Sequence, residues 1–342
     1  MSKGSGARIV CFGELLMRLT APGRELLLQA PRLEVAFGGA EANVAVSLAR
    51  LGHDAAMVSV LPDNPIGRAC LGELRRHGVD TGGIRTAEGR MGLYFLAVGA
   101  MHRASEITYD RADSAFARSG PEAHDWDRLL DNAAWLHVSG INAALGPKPG
   151  DAALAAVKAA RARGIKVSFD CNYRQKLWEA WGGDAPAILR EFFHNADLLF
   201  GNERDIGLVL RRGVPDLPPA ERFREAAGAA FTAFPNLRWI AATERGHTSV
   251  DEQELAGMLA TPQGLHRTRP YAMNGIIDRI GGGDAFAAGL LHGLIRGMGE
   301  QAALEFAVAA GVIKHSIPGD ANLAGEDDIR ALVEGGGLDV KR

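Results

Sequence analysis

The chain has 342 residues, of which 47% are hydrophobic and 23% charged, with a formal net charge of −3 at pH 7. This composition supplies enough apolar side chains for a large core, and the charge gives no general attraction to nucleic acid or to an anionic membrane. The longest apolar stretches fall short of the roughly 20 residues that a membrane-spanning helix needs.

Cysteine usage and the first residues indicate a cytoplasmic protein. Cys11, Cys70 and Cys171 lie far apart and form no CxxC pair, so we expect buried free thiols and no disulfide framework. The start, MSKGSG at 1–6, lacks the apolar segment of a signal peptide, and we expect it to be a disordered end.

Short apolar segments alternate with amphipathic ones along the chain. The former predict buried strands and the latter predict helices, and this alternation is typical of βαβ units. We therefore expect one α/β domain over residues 1–342, with a mostly parallel sheet flanked by helices on both faces. The predicted strands are 8–13, 55–60, 133–140, 165–170, 196–201 and 237–243; the predicted helices are 41–52, 66–78, 151–164 with Asp151 as N-cap, and one starting near Asp284.

Two segments interrupt this alternation, at 14–37 and 89–111. Neither has helical periodicity, and the first carries a turn signal, APG. We interpret them as β-rich excursions that form a small sheet over a binding site, since long excursions often act as lids. A plain pair of surface hairpins is the alternative.

The segment DRIGGGDAFAAGL at 278–290 places three glycines before a predicted helix. The bare amides of Gly281, Gly282 and Gly283, added to the helix dipole, would suit a phosphate group. Asp284 could then remove a proton from an attacking hydroxyl. The alternative is that Asp284 is only a helix cap and the glycines a flexible connection.

Other phosphate and catalytic motifs are absent from the sequence. There is no GxxxxGK[ST], no GxGxxG after a strand, no HExxH and no GxSxG. These absences argue against a P-loop protein, a dinucleotide-binding domain, a zinc protease of that type and an α/β-hydrolase.

A second glycine motif, FGGAEANVAVSLARLG at 37–52, leads into a predicted helix. Gly38 and Gly39 would let the backbone approach a small ligand, and Asn43 offers a donor and an acceptor to a hydroxyl. An ordinary glycine turn before a helix is the alternative.

Two polar segments could recognise a carboxylate. Tyr109 and Arg111 alternate along one predicted strand, and Arg174 follows another at the carboxyl end where open α/β sheets bind ligands. Two converging guanidinium groups would suit a carboxylate. Separate surface ion pairs are the alternative.

Together, GGAEANVAVSLARLG (38–52), GNE (201–203) and DRIGGGDAFAAG (278–289) resemble the PfkB, or ribokinase-like, carbohydrate kinases over residues 8–320. Within that family, YDRADSAF (109–116), DCNYRQKLW, KHSIPGDANL (314–323) and Glu14 resemble the 2-keto-3-deoxygluconate kinases.

The resemblance implies a ribokinase-like fold with a small β-sheet lid, and an ATP- and Mg²⁺-dependent kinase. It would phosphorylate the terminal hydroxyl of 2-keto-3-deoxygluconate, with Asp284 as base and Gly281, Gly282 and Gly283 as anion hole. The implied substrate-binding residues are Glu14, Gly38, Gly39, Asn43, Tyr94, Tyr109, Arg111, Asn172, Arg174 and Asp284. The implied cofactor-binding residues are Asn202, Thr243, Gly246, Gly281 and Gly283, with Glu203 ordering Mg²⁺ through water.

The chain departs from the family pattern twice. Relatives commonly have DTxGAGD where this chain has DRIGGGD, and Arg279 in place of a small hydroxyl residue puts a monovalent-cation site in doubt. The TxGxxG of the nucleotide side is replaced by TERGHTSV at 243–250.

Two alternatives to this function stay open: a fructokinase or nucleoside kinase of the same fold, and a non-enzymatic sugar-sensing module. The expected partners are a small sugar acid and ATP, with no nucleic acid and no membrane. A homo-oligomer that assembles through the lid is a further expectation.

Overall fold

The structure is a computed structural model that describes residues 7–247 and 249–336, so the predicted disordered end at 1–6 lies outside the described residues. In chain order the strands are β1 (Arg8–Phe12), β2 (Leu16–Thr20), β3 (Glu34–Gly38), β4 (Asp54–Pro62), β5 (Asp80–Ala87), β6 (Gly92–Ala97), β7 (Glu106–Asp110), β8 (Ala133–Ser139), β9 (Lys166–Asp170), β10 (Leu198–Phe200), β11 (Trp239–His247), β12 (Glu252–Thr261), β13 (Gly264–Arg267) and β14 (Tyr271–Asn274).

The larger sheet has ten strands within the described ranges, in the order β13-β12-β11-β10-β9-β8-β1-β4-β5, with β14 also paired to β12. All neighbours from β11 to β5 are parallel, whereas β12 pairs antiparallel with β11, β13 and β14. The prediction of a mostly parallel sheet is therefore confirmed.

Helices cover both faces of this sheet. They are α1 (Ala40–Arg50), α2 (Pro65–Arg76), α3 (Trp126–Leu129), α4 (Gly140–Ala144), α5 (Pro147–Ala162), α6 (Gln175–Trp181), α7 (Ala185–Asn195), α8 (Glu203–Leu210), α9 (Pro219–Ala233), α10 (Gly282–Ile295), α11 (Glu300–Lys314) and α12 (Glu326–Val333). None of these described helices has the length and apolar character required to cross a membrane.

Side chains of β1 show why its whole sequence is apolar. Val10 and Phe12 pack into a core with α5, α7 and α9, whereas Ile9 and Cys11 pack into a second core with α1, α10 and α11. Successive residues of a strand point to opposite faces, so a strand covered on both sides needs an unbroken apolar run.

The predicted strands and helices are found, with two corrections at helix starts. α5 begins at Pro147 with Gly146 as its N-cap, so Asp151 lies inside the helix and its assignment as N-cap was wrong. α10 begins at Gly282, one turn earlier than an Asp284 cap would allow, because Gly281 takes the left-handed conformation that opens the helix.

The two excursions form a separate four-stranded sheet, in the order β3-β2-β6-β7. The first excursion supplies the antiparallel pair β2 and β3, and the second supplies β6 and β7. A parallel pairing of β2 with β6 joins the two pairs into one sheet, called the lid sheet below. The predicted small sheet is confirmed, and the alternative of separate surface hairpins is wrong.

The three cysteines are buried free thiols, as expected. Burial raises the pKa of Cys70 to about 12 and raises the pKa values of Cys11 and Cys171 further. These thiols therefore stay protonated and unreactive at neutral pH.

Candidate active site

The three glycines before α10 have different physical reasons to be glycine. Gly281 has a φ of 78°, and a Cβ there would lie 1.7 Å from the backbone oxygen of Asp320. A Cβ on Gly282 would lie 2.6 Å from the ring of His315. A Cβ on Gly283 would meet nothing within 4 Å, so protein packing does not require this glycine. Its bare backbone leaves room for a ligand at the N-terminus of α10.

Asp284 lies in the first turn of α10 and does not cap it, since no side-chain cap bond is present. Its Oδ2 accepts a hydrogen bond of 2.7 Å from Asn43 Nδ2. Burial raises the pKa of Asp284 to about 8, and the charges of Asp170, Asp320 and Glu41 contribute to the rise. A carboxylate with a pKa near neutrality can accept a proton from a bound hydroxyl and release it again.

Asp284 and the three glycines line a cavity of about 330 Å³ between the large sheet and the lid sheet, called the central cavity below. Most of the predicted substrate residues line it, although they come from six separate segments of the chain. The predicted residues that meet here are Glu14, Gly39, Asn43, Tyr94, Tyr109, Arg111, Asn172, Arg174, Gly281, Gly282, Gly283 and Asp284.

Glu14 and Arg111 line the central cavity but are paired with each other. Arg111 Nε donates to Glu14 Oε2 at 2.8 Å, and Ser114 Oγ donates to the other carboxylate oxygen. Because both oxygens of Glu14 already have partners, Glu14 orients Arg111 and is not a free ligand. The guanidinium of Arg111 also lies 5.5 Å from the ring centre of Tyr109.

Arg174 differs from Arg111 in having no side-chain hydrogen bond or ion pair with any described residue. It is exposed and follows β9, at the carboxyl edge of the parallel sheet. Arg111 and Arg174 thus both line the central cavity, but each has a charged neighbour. Arg111 is paired with Glu14, and the charge of Arg174 acts on Asp170 and Asp205. Nearby, Asn172 has a left-handed φ of 38°, and its backbone N–H donates to Asp170 Oδ1.

Gly38 does not line the central cavity, in contrast to the prediction. A Cβ there would lie 2.1 Å from Asp320 Oδ2, so Gly38 is glycine because the carboxylate of Asp320 packs on its backbone. Gly39 does line the cavity; its φ is 149°, and a Cβ would lie 2.2 Å from the backbone oxygen of Glu14.

A buried ionic network behind the central cavity was missed by the sequence interpretation. Arg18 of β2 donates to Asp320 at 2.8 Å and pairs with Asp278 at 2.7 Å, and Tyr94 Oη donates to Asp320 at 2.6 Å. Asp320 lies within KHSIPGDANL, a segment that indicated the family but did not predict an ion pair. The only sign of a role for Arg18 in the sequence is that it is a charged residue in the otherwise largely apolar segment LMRLT.

A second cavity of about 240 Å³, called the strand-end cavity, adjoins the central cavity at Arg174 and Gly283. Among the predicted nucleotide residues, Asn202, Thr243 and Gly283 line it. Gly246 does not; it lies in β11 beside Glu254. Asn202 also caps α8 through a capping box with Asp205.

Glu203 was the predicted magnesium residue, and the structure directs its carboxylate elsewhere. Glu203 Oε1 pairs with Arg222 at 3.1 Å, and Glu203 does not line the strand-end cavity. The carboxylates that line it are Asp170 and Asp205. Burial, followed by the charge of Asp205, raises the pKa of Asp170 to about 7, and burial raises the pKa of Asp205.

The donor set of Asp170 and Asp205 suits a hard cation. Mg²⁺ is usually held by one or two carboxylates plus substrate phosphates and water, and it does not need a protein cage. The described residues contain no group of three or more potential metal-binding side chains. A cation near these two half-buried carboxylates would stabilise their charged forms and so lower their raised pKa values.

These features together define a class of protein. The site lies at the carboxyl edge of a parallel sheet. It combines the glycine turn at the N-terminus of α10, the Asp284 carboxyl group with a pKa of about 8, and the adjoining acidic strand-end cavity. This arrangement is suited to moving a phosphoryl group onto a small bound molecule.

The chain belongs to the pfkB family carbohydrate kinases, whose pattern matches residues 7–324. It is 33% identical over 336 residues to the 2-dehydro-3-deoxygalactonokinase of Haloferax volcanii, covering 98% of this chain and 99% of that protein. The crystal structure of the 2-dehydro-3-deoxygluconokinase of Thermotoga maritima is 37% identical, with a TM-score of 0.91 over 96% of this chain and all of that one.

A more distant neighbour shows the same fold with a different name. The structure of a fructokinase with bound ATP from Xylella fastidiosa has a TM-score of 0.76 and 20% identity, covering 98% of this chain and 99% of that one. At this identity the likeness concerns the fold alone.

Proposed function

We propose that this carbohydrate kinase transfers the terminal phosphoryl group of ATP to the terminal hydroxyl of 2-keto-3-deoxygluconate. The observation that carries the proposal is Asp284, a cavity-lining carboxylate with a raised pKa, directly after three glycine amides. The identities of 33% and 37% to kinases named for two 2-keto-3-deoxy sugar acids support this substrate class.

The central cavity would hold the sugar acid with its terminal hydroxyl at Asp284. The hydroxyl oxygen attacks the γ-phosphorus, its proton passes to the Asp284 carboxylate, and the bond from phosphorus to the β–γ bridging oxygen breaks as ADP leaves. Asn43 holds the Asp284 carboxylate through its 2.7 Å hydrogen bond. The amides of the glycine turn stabilise charge on the transferred group.

The carboxylate of the sugar acid would be recognised by arginine. Arg174 has no hydrogen bond or ion pair with a described side chain, and Arg111 keeps one guanidinium edge unbonded beside Tyr109. A neutral sugar would offer no carboxylate to Arg174 or to the unbonded edge of Arg111, which disfavours the fructokinase alternative.

The nucleotide would lie in the strand-end cavity, against Asn202, Thr243 and Gly283. Asp170 and Asp205 would hold magnesium there in place of Glu203, and the bound ion would neutralise charge on the β- and γ-phosphates. The doubtful monovalent-cation site, the cytoplasmic location and assembly through the lid stay predictions.

A coupled kinase assay tests the substrate proposal. We expect ATP-dependent phosphorylation of 2-keto-3-deoxygluconate with a higher kcat/KM than for fructose, and the galactonate-derived epimer is measured alongside. A preference for fructose would contradict the proposal. If a broad sugar panel gave no phosphorylation at all, the sugar-sensing alternative would be favoured.

A further inference from the structure

Arg279 lies in the loop before the glycine turn and is not used in the mechanism above. It follows Asp278, whose carboxylate is paired with Arg18 at 2.7 Å. Arg279 itself makes no side-chain hydrogen bond or ion pair with any described residue, although it lines the central cavity together with Gly281 and Asp284. A cation without a protein partner at the wall of a ligand cavity is available to an anionic ligand.

A second arginine lies behind it. Arg245 of β11 donates to Gln253 Oε1 at 2.8 Å and to His315 Nε2 at 3.0 Å. The His315 Nδ1–H donates to the backbone oxygen of Gly311, which leaves Nε2 free to accept. Burial, followed by the positive charge of Arg279, lowers the pKa of Arg245 to about 10. Neither bonded partner of Arg245 carries a negative charge.

Arg245 and Arg279 face a third cavity of about 290 Å³, the hairpin cavity, between the lid sheet and the β11–β12 hairpin. Arg279 and Ile280 line both this cavity and the central cavity, so the two spaces adjoin. The hairpin cavity does include Asp251, but this carboxylate is paired with Arg24 at 2.6 Å. On the side of the hairpin cavity, Arg279 therefore meets the cation of Arg245, and the carboxylates that line this cavity are paired with other arginines.

The position of Arg279 decides which anion it meets. Arg279 precedes Gly281 by two residues, so its backbone adjoins the glycine turn, and it lines the central cavity together with Gly281 and Asp284, the proposed acceptor of the hydroxyl proton. The carboxylate of a six-carbon 2-keto acid is at the opposite end of the molecule from that hydroxyl. Arg174, which lines both the central and the strand-end cavities, comes from a different wall.

We propose that Arg279 is a further catalytic residue, which binds the phosphoryl group in transit between ATP and the substrate hydroxyl, with Arg245 adding a second positive charge behind it. This proposal rests on the proposed kinase reaction. The Arg279 N–H groups donate to the non-bridging oxygens of the transferred group, and no bond to Arg279 forms or breaks. Negative charge on these oxygens is what a guanidinium fork stabilises best.

The same pair coincides with the two departures from the family pattern. Arg279 lies in DRIGGGD and Arg245 in TERGHTSV, the two segments in which the sequence departs from the pattern of the family it resembles. Both arginines line the hairpin cavity.

Replacement of Arg279 tests the proposal. We expect Arg279→Thr, which introduces the residue type of relatives, to lower kcat by about 10²- to 10³-fold. KM for the sugar acid and the affinity for ADP should change less than about threefold, because neither ligand carries the transferred group. Arg279→Lys keeps the charge without the fork and should retain more activity. Arg238→Thr is the matched control, since Arg238 is exposed at the opposite end of β11.

Three results would overturn the role of Arg279. A kcat within about threefold of wild type would leave it without a catalytic role. A raised KM for the sugar acid with kcat kept would make it a carboxylate ligand, and weakened ADP binding would make it a ligand of the remaining phosphates. Thermal melting confirms that each variant is folded. If wild type prefers another sugar, the substrate proposal fails, and Arg279 is then tested with that sugar.

Discussion

Asp284 is the proposed proton acceptor, and its raised pKa also affects the stability of the fold. Asp284→Asn removes the proton acceptor while preserving size and the neighbourhood of Asn43, so we expect kcat to fall by about 10²- to 10⁴-fold with ATP binding largely intact. In wild type, kcat/KM should rise with pH as Asp284 loses its proton, with an apparent pKa near 8. Stopped-time assays measure kcat and the pH dependence of kcat/KM, and nucleotide titration measures ATP binding. A kcat of Asp284→Asn within a few-fold of wild type would exclude Asp284 as the base.

The pH dependence of folding stability provides a control for Asp284→Asn. The pKa of Asp284 is higher in the folded protein than in the unfolded chain, so wild-type stability contributed by this group is present at low pH and is lost as pH rises towards 8. Asn does not titrate. Denaturation at pH 5 and pH 8 should therefore show Asp284→Asn gaining stability relative to wild type at the higher pH, which separates lost catalysis from lost folding.

At the scale of elements, Arg18 links strand β2 to the rest of the protein through buried ion pairs. Arg18 is 4% exposed and bridges Asp278 and Asp320, which are 5% and 3% exposed at the side chain. Arg18→Met would remove the cation that is paired with both buried carboxylates and leave only the charge of Lys314 near them. Breaking such a buried pair costs about 3–5 kcal/mol of unfolding free energy. Asp320 would also repel Asp284 more strongly, so the pH at which activity rises should move upward.

The lid sheet provides a matched control for Arg18. Arg24, in the same excursion, pairs with Asp251 at 2.6 Å, but the two side chains are 42% and 26% exposed. Arg24→Met should therefore cost about 0–1 kcal/mol. Chemical denaturation compares the two variants, and the pH profile of kcat/KM adds a second measurement. Equal losses of stability with an unmoved profile would contradict the anchoring role of Arg18.

At the scale of the whole molecule, sequence reasoning succeeded where the signal is local or periodic. Apolar runs predicted the parallel sheet, and the spacing of glycines and Asp284 predicted the turn at α10. It failed where a distant partner decides what a side chain does. Glu203 forms an ion pair with Arg222, and Glu14 accepts a hydrogen bond from Arg111. Arg18 donates to Asp320, which lies 302 positions away in the chain. No local pattern records such pairings, because only folding creates them.

The lid sheet also bears on whether the molecule works alone. Its edge strand β7 is exposed along its whole length, and the side chain of Val35 in the opposite edge strand β3 is 59% exposed. Unprotected edges and apolar surface of this kind favour pairing with another chain. We therefore predict a homo-oligomer formed through the lid sheet.

Light scattering coupled to size-exclusion chromatography tests this prediction against the 36.3 kDa mass of one chain. We expect wild type to elute at a multiple of that mass and Val35→Lys to elute at the monomer mass, because lysine on an edge strand opposes pairing. Val214→Lys is the control, as Val214 is 41% exposed but lies outside the lid sheet. A monomeric wild type would contradict the prediction, and dissociation by both variants equally would place the interface elsewhere.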